Sequence, residues 1–152
     1  MGYTASRKLL MRVLFLESLL KFINFLEVEI RYTTNPLPKL FEKYEDKEFL
    51  SDSLRQCLKN METGLSIDKA WQKAIDEVPS SYGLSKQDKR IIKDFGENLG
   101  VTDVDGQLSH CSLNAQLINT SLENAREEKL RKSKLYIMLG LFGGIALALI
   151  LC

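Results

Sequence analysis

The sequence contains few of the residues that build disulfide-rich, metal-binding or β-rich proteins. Its 152 residues include three cysteines, one histidine, three prolines and nine glycines. The widely separated Cys57, Cys111 and Cys152 form no CxxC pair and predict no disulfide framework. The lone His110 argues against a histidine-based metal site. Turn residues are too sparse for a strand-and-turn architecture, which leaves a helical protein.

Catalytic and nucleic-acid-binding signatures are also missing. The net charge of +1 provides no overall field to attract nucleic acid. The sequence has no GxxxxGK[ST], HExxH or GxSxG motif. Glu27 and Glu29 lie two residues apart, so their carboxylates diverge on a helix. We therefore predict a protein that is not an enzyme and that uses no cofactor, no metal and no nucleic acid.

The last 18 residues, 135–152, form the longest apolar run. They contain no charged or strongly polar side chain, and as a helix they would span about 27 Å, close to the hydrocarbon thickness of a bilayer. A buried core helix is the alternative, but such a helix normally keeps a polar edge. We predict two regions: a helical bundle over 1–134 and a C-terminal transmembrane helix over 135–152.

A basic segment precedes this run and no charged residue follows it. The positive-inside rule then places the bundle in the cytoplasm. At the membrane interface we expect Arg131, Lys132, Lys134 and Tyr136, with the cations against anionic lipid headgroups. Within the run, Gly140 and Gly144 form a GxxxG pattern, which predicts a helix–helix contact.

Apolar spacing divides the remaining chain into about six helices in an all-α bundle. The first, 6–32, has an apolar stripe at helical spacing and further apolar residues beside it, so it is apolar on more than one side and we expect it at the bundle centre. The stripe comprises Leu9, Val13, Leu16, Leu20, Ile23 and Ile30. The others are predicted at about 37–44, 47–63, 66–78, 85–99 and from 103 into the membrane. The last helix has apolar residues at heptad spacing from Val104 to Ala125, a seam that could pack on the first helix or on a second copy.

Helix-end signals support these boundaries. Asn35 and Ser66 are predicted N-caps, and Gly64 is a predicted C-cap. Ser85 and Asp88 resemble a capping box.

One acidic run suggests a binding surface. It extends from the end of the second predicted helix to the start of the third and comprises Glu42, Glu45, Asp46, Glu48 and Asp52. A solvated helix face is the simpler explanation of the same residues, and a partner site is the alternative.

An ordered set of short motifs resembles the stage III sporulation protein AB family of endospore-forming bacteria. The set begins with the LEVEIRY string at 26–32 and Pro36-Leu37. It continues with Gly64-Leu65-Ser66, Ala70-Trp71-x-x-Ala74, Leu84 and Asp88, Phe95-Gly96-x-x-Leu99-Gly100, Asp103, Gln107 and the terminal basic and apolar segments. Members of that family also carry a hydrophobic segment ahead of a start like Gly2-Tyr3-Thr4-Ala5.

The resemblance implies a component of the assembly that links mother cell and forespore. The soluble part would be similar to the helical cytoplasmic domain of type II secretion platform proteins. It would lie in the mother-cell cytoplasm, anchored in the outer forespore membrane. The partners implied are a cytoplasmic ATPase, called the AA protein, and other stage III membrane components. The alternative function is a tail-anchored adaptor or regulator that binds partner helices.

Several residues of these motifs are candidates for partner binding, although a helix end, a packed ring or a cap would account for some of them. They are Glu27, Glu29, Arg31, Tyr32, Asp88, Asp103 and Gln107.

Overall fold

A computed structural model describes residues 2–44, 50–97, 99 and 103–151, and within these ranges the regular structure is helical. The all-α class predicted from the sequence is confirmed. The helices are α1 (Gly2–Tyr32), α2 (Leu37–Lys43), α3 (Ser51–Glu62), α4 (Ile67–Asp76), α5 (Lys86–Glu97) and α6 (Val104–Leu151), with a 3₁₀ turn at Ser80–Tyr82 between α4 and α5.

Helix α1 lies at the centre of the bundle, as its apolar pattern predicts. Six of its side chains are completely inaccessible to solvent: Phe15, Leu16, Leu19, Phe22, Ile23 and Leu26. Leu20 and Ile30, which the sequence pattern places on the same apolar stripe, are only partly buried. The buried face is therefore centred on Leu19 and Leu26 and is broader than a single stripe.

Trp71 on α4 joins α1, α2 and α5 through ring contacts. Its ring centroid lies 6.4 Å from that of Phe22, 6.1 Å from that of Phe41 and 5.7 Å from that of Phe95. The indole Nε1–H donates a 2.7 Å hydrogen bond to the carbonyl oxygen of Ile92. Both the apolar body and the polar atom of this buried side chain are thus satisfied.

Helix ends follow the sequence signals in part. Gly64 has φ +101° and takes the conformation that a helix C-cap glycine adopts. Ser85 and Asp88 form the predicted capping box, since each backbone N–H donates to the other's side chain at 3.0 Å. The prediction for Asn35 was wrong, because Pro36 occupies the N-cap position of α2; Ser66 is the N-cap of α4 but makes no side-chain capping bond.

Helix α6 continues without interruption from Val104 to Leu151, as predicted, and packs on α1 in antiparallel orientation. Two ion pairs fix this orientation: Arg126 bonds Glu17 at 2.8 Å and Arg12 bonds Glu128 at 3.2 Å. Its 48 residues correspond to a length of about 72 Å. We call the end where α1 stops and α6 starts the distal end, and the opposite end the proximal end.

Arg12 connects three helices at the proximal end. Its guanidinium donates to both carboxylate oxygens of Asp88 on α5, at 2.6 and 3.1 Å, and to Glu128 on α6. Asp88 is only 2% exposed. The hydrogen bond to Asp88 is the main cause of a raised pKa of Arg12, so the guanidinium stays charged.

Removing Asp88 should therefore destabilise the bundle strongly. Asp88→Ala leaves the largely buried Arg12 guanidinium with only the more exposed Glu128 as its partner and removes the α5 capping box, for which we expect a loss of about 3–5 kcal/mol in the free energy of unfolding. Urea unfolding of the full chain in detergent, followed by the fluorescence of Trp71, measures it. Lys43→Ala, which breaks the exposed Glu29–Lys43 pair, is the control and should lose less than about 1 kcal/mol. Equal losses in the two variants would contradict the role given to Arg12.

Candidate functional site

A groove of about 360 Å³ opens at the distal end of the bundle. Its walls come from the last turn of α1, the segment before α2 and the first turn of α6. It is lined by Ile30, Thr33, Thr34, Asn35, Pro36, Leu37, Val104 and Gln107. We call this the distal groove.

The local sequence explains why a groove is left between the end of α1, the segment before α2 and the start of α6. The Thr33 hydroxyl donates a 2.7 Å hydrogen bond to the carbonyl oxygen of Glu29 and closes the last turn of α1. Pro36 is extended, with ψ 152°, so the chain turns away before α2 begins. On the other wall, the Asp103 carboxylate accepts a 2.9 Å hydrogen bond from the Gly106 N–H and starts α6.

The antiparallel packing brings most of the predicted partner-binding residues to this end. Gln107 is buried and lines the groove beside Ile30. Asp103 caps α6, the helix that forms one wall of the groove, so this motif residue has the capping role that was one of its two explanations. Arg31 is exposed, and the Tyr32 side chain is 75% exposed, so Tyr32 is not part of a packed ring.

The two glutamates of the motif have different surroundings. Glu29 binds the Lys43 ammonium on α2 through both carboxylate oxygens at 3.2 Å, which ties α1 to α2 beside the groove. Glu27 is half-buried and acts electrostatically on Cys111 of α6. Both lie within a turn or so of the groove, but neither lines it.

Asp88 lies at the other end of the molecule and away from the groove. Its carboxylate is occupied by Arg12 and the Ser85 N–H. Its partner-binding role stays a prediction. These contacts show that Asp88 joins α5 to α1 and caps the start of α5.

The other predicted interaction residues are distributed along the surface. Arg131, Lys134 and Tyr136 are exposed, and Lys132 is half-buried with its ammonium 3.6 Å from Glu128. No heavy atom lies within 4 Å of a Cβ built on Gly140 or Gly144, so both are open for a helix contact that stays a prediction. Of the acidic run, Glu42 and Asp52 are exposed, whereas Glu45, Asp46 and Glu48 lie outside the described residues.

The apolar part of α6 is exposed throughout. Among the described residues one helix is long and apolar enough to cross a membrane, and none of its apolar window is buried in the bundle. The stretch 135–151 is thus not a core helix, and it is a candidate membrane span.

His110 has a packing role. Its ring stacks on Phe95 with centroids 5.6 Å apart, and its Nε2–H donates a 2.7 Å hydrogen bond to the Phe95 carbonyl oxygen. Asn114 donates to Nδ1 at 3.1 Å, which fits the neutral ring. In the described ranges, no group of three or more His, Cys, Asp or Glu side chains could hold a metal ion.

Sequence reasoning missed the groove itself. Ile30 and Val104 are predicted core positions by spacing, yet Val104 is 54% exposed. The stop signal at 33–36 marks where α1 ends but does not reveal that α6 begins beside it, because that depends on the packing of two helices more than 70 residues apart.

Cys111 is buried on α6, the helix that packs on α1 and forms one side of the distal end. Burial, and secondarily the charge of Glu27, raises the pKa of its thiol to about 12. Cys57 is buried on α3, and burial likewise raises its pKa to about 12. Both thiols therefore stay protonated and unreactive below that pH.

Alkylation should separate the folded from the unfolded chain at these two positions. With iodoacetamide at pH 8, peptide mass spectrometry should find Cys57 and Cys111 essentially unmodified in the folded protein and fully modified in urea. Rapid modification of Cys111 alone would show that α6 does not pack on α1 as described.

Comparison with known proteins identifies relatives. The family described as stage III sporulation protein AB matches residues 1–152. A protein of Bacillus subtilis (strain 168) named "Stage III sporulation protein AB" is 27% identical over 135 residues, which cover 83% of this chain and 75% of the relative. No solved structure matches the chain.

Proposed function

The chain belongs to the stage III sporulation protein AB family, and we propose that it is a non-enzymatic, membrane-anchored platform that binds protein partners during stage III of sporulation. The partners we propose are a cytoplasmic ATPase and membrane channel proteins of the assembly between mother cell and forespore. The bundle would face the mother-cell cytoplasm from the outer forespore membrane.

One observation carries the proposal: the distal groove and the apolar span lie on the same uninterrupted helix, at opposite ends. Gln107 in the groove and Leu135 at the start of the span are 28 residues apart, which is about 42 Å along α6. A helix of this kind would hold the groove well above the lipid headgroups, within reach of a partner in the cytoplasm.

The chemistry of the groove suits a protein partner. It offers apolar contact from Ile30, Leu37 and Val104, and polar contact from the threonines and amides of its rim. Tyr32 and Val28, which is 56% exposed, add accessible apolar area one turn apart at the same end of α1. Tyrosine is enriched among the residues that contribute most of the binding energy at protein interfaces, which makes Tyr32 the stronger anchor of the two.

The anchor is tested by placing charges in the span. Leu139→Arg with Leu147→Arg should release the protein from the membrane fraction, because each arginine disfavours insertion by about 2.5–3.5 kcal/mol near the bilayer centre. Leu113→Arg with Leu117→Arg, on exposed positions of the same helix within the bundle, should leave the protein in the membrane. Membrane retention of the first variant would argue against the anchor.

The groove is tested by a matched pair of substitutions. Val104→Asp places a charge in the groove, and Leu113→Asp places the same charge outside it on the same helix; the two side chains are 54% and 56% exposed. Because both positions are exposed, both variants should fold, and Asp in the first turn of α6 suits the helix dipole. Co-purification of the full chain in detergent with the stage III ATPase should fall about tenfold or more for Val104→Asp only.

Three outcomes of the co-purification experiment would count against the groove or against the proposed partner. Equal binding by the wild type and Val104→Asp would exclude the groove as the ATPase site. Loss of binding in both variants would place the site on another part of α6. Absence of binding by the wild type would refute the proposed partner.

A further inference from the structure

The proximal end of the bundle carries a second surface, formed by α1, the 3₁₀ turn and α5. Gly83 follows the turn with φ +70°, and a Cβ built on it would collide with the carbonyl oxygen of Lys8. The turn and α1 are therefore in backbone contact. Arg7, Lys8, Met11 and Ser81 line a shallow depression between them.

The ion pair between Arg12 and Glu128 shows where this surface lies along the length of α6. Arg12 contacts Glu128, and Leu135 lies seven residues, or about 10 Å, further along α6. Lys8 precedes Arg12 by four residues on the antiparallel helix, so it lies about 6 Å closer to the span. The turn beside Lys8 is thus within about one helical turn of the level where the apolar stretch begins.

Uncompensated cations dominate this side. Arg7, Lys8 and Lys86 are exposed, and α1 has no acidic residue before Glu17. Of the nearby carboxylates, Asp88 and Glu128 are bound by Arg12, Glu128 also lies 3.6 Å from Lys132, and Glu127 lies one turn before Arg131 on α6, so cations still outnumber carboxylates here. Asp52 and Glu77 line a separate pocket on the other flank of the turn, together with Tyr82.

The basic segment that precedes the apolar span lies at about the same position along α6 as Lys8 and the turn. We define the proximal basic face as the six cations Arg7, Lys8, Lys86, Arg131, Lys132 and Lys134. They come from three helices that are far apart in sequence. Only the last three can be recognised as a juxtamembrane cluster from sequence spacing.

We propose that the proximal basic face docks the bundle onto anionic lipid headgroups, so that the turn at Ser80–Tyr82 lies against the bilayer surface. The inference rests on the membrane anchor of the proposed function. Two observations select lipid as the occupant: the face is continuous with the start of the span, and its charge is opposite to that of anionic headgroups. A height within about a Debye length of 8 Å from the span leaves the attraction only partly screened.

A fluorescent reporter in the turn tests the contact. In a Cys152→Ser background, an environment-sensitive dye is attached to Ser81→Cys in the full chain, which is reconstituted into liposomes that carry a headgroup spin label as quencher. Cys57 and Cys111 are buried and do not compete for the dye. We expect quenching at least about twofold stronger in phosphatidylglycerol-containing liposomes than in pure phosphatidylcholine, with the excess removed by high salt. Dye on Asn35→Cys, at the distal end, should show no such difference.

Charge reversal provides the matched comparison. Arg7→Glu, Lys8→Glu and Lys86→Glu together should abolish the excess quenching at Ser81. Lys39→Glu, Lys59→Glu and Lys69→Glu change the net charge equally on exposed positions away from this face and should preserve it. Circular dichroism confirms that both variants fold, and dye on Gln87→Cys provides a second reporter if Ser81→Cys perturbs the turn.

Liposome flotation separates this inference from the proposed anchor. A wild-type chain that does not float with liposomes refutes the anchor. A chain that floats but shows equal quenching in neutral and anionic liposomes refutes lipid docking alone. Quenching at Ser81 that rises only when the ATPase is added would show that an acidic protein surface, and not lipid, occupies the face.

Discussion

The antiparallel packing of α1 on α6 is the contact on which the rest of the molecule depends. Because α6 belongs to the bundle and also carries the apolar span, whatever packs on it acquires a fixed orientation relative to that span. Ion pairs between Arg12 and Glu128 and between Arg126 and Glu17 hold the two helices in register. The two ends of the bundle thereby become chemically different surfaces, a groove at one and a cluster of cations at the other.

Packing around Trp71 completes the bundle and explains one motif glycine. A Cβ built on Gly96 of α5 would collide with the indole ring, which its hydrogen bond to Ile92 prevents from moving aside. Gly96 is therefore needed for close approach of α4 and α5, not for flexibility. The Phe95 ring also packs on this indole, with ring centroids 5.7 Å apart, so both residues of the Phe95-Gly96 pair lie against Trp71.

The sequence was sufficient for features that depend on local patterns. Apolar periodicity predicted the helices, the central place of α1 and the unbroken α6, and capping signals located Gly64 and the Ser85–Asp88 box. The Arg12–Asp88 pair joins residues 76 positions apart, and no periodicity reveals it. Spacing also misplaced Val104, because a heptad seam indicates which side of a helix faces inward but not how far the partner helix extends, and α1 ends before it covers this residue.

The stiffness of α6 mechanically connects the distal groove to the proximal basic face. Helix α6 contains no proline, and of its four glycines Gly106 lies in the first turn and the other three lie within the apolar stretch, so the part between groove and span has no sequence feature that would bend it. A force applied at the groove would therefore tilt the bundle about the point where α6 enters the bilayer. The α1 and α5 members of the proximal basic face, Arg7, Lys8 and Lys86, lie beside that point and off the axis of α6. If this face docks on headgroups as proposed, the attraction would oppose the tilt in one direction and permit it in the other, and the lipid charge would then influence how the groove is presented.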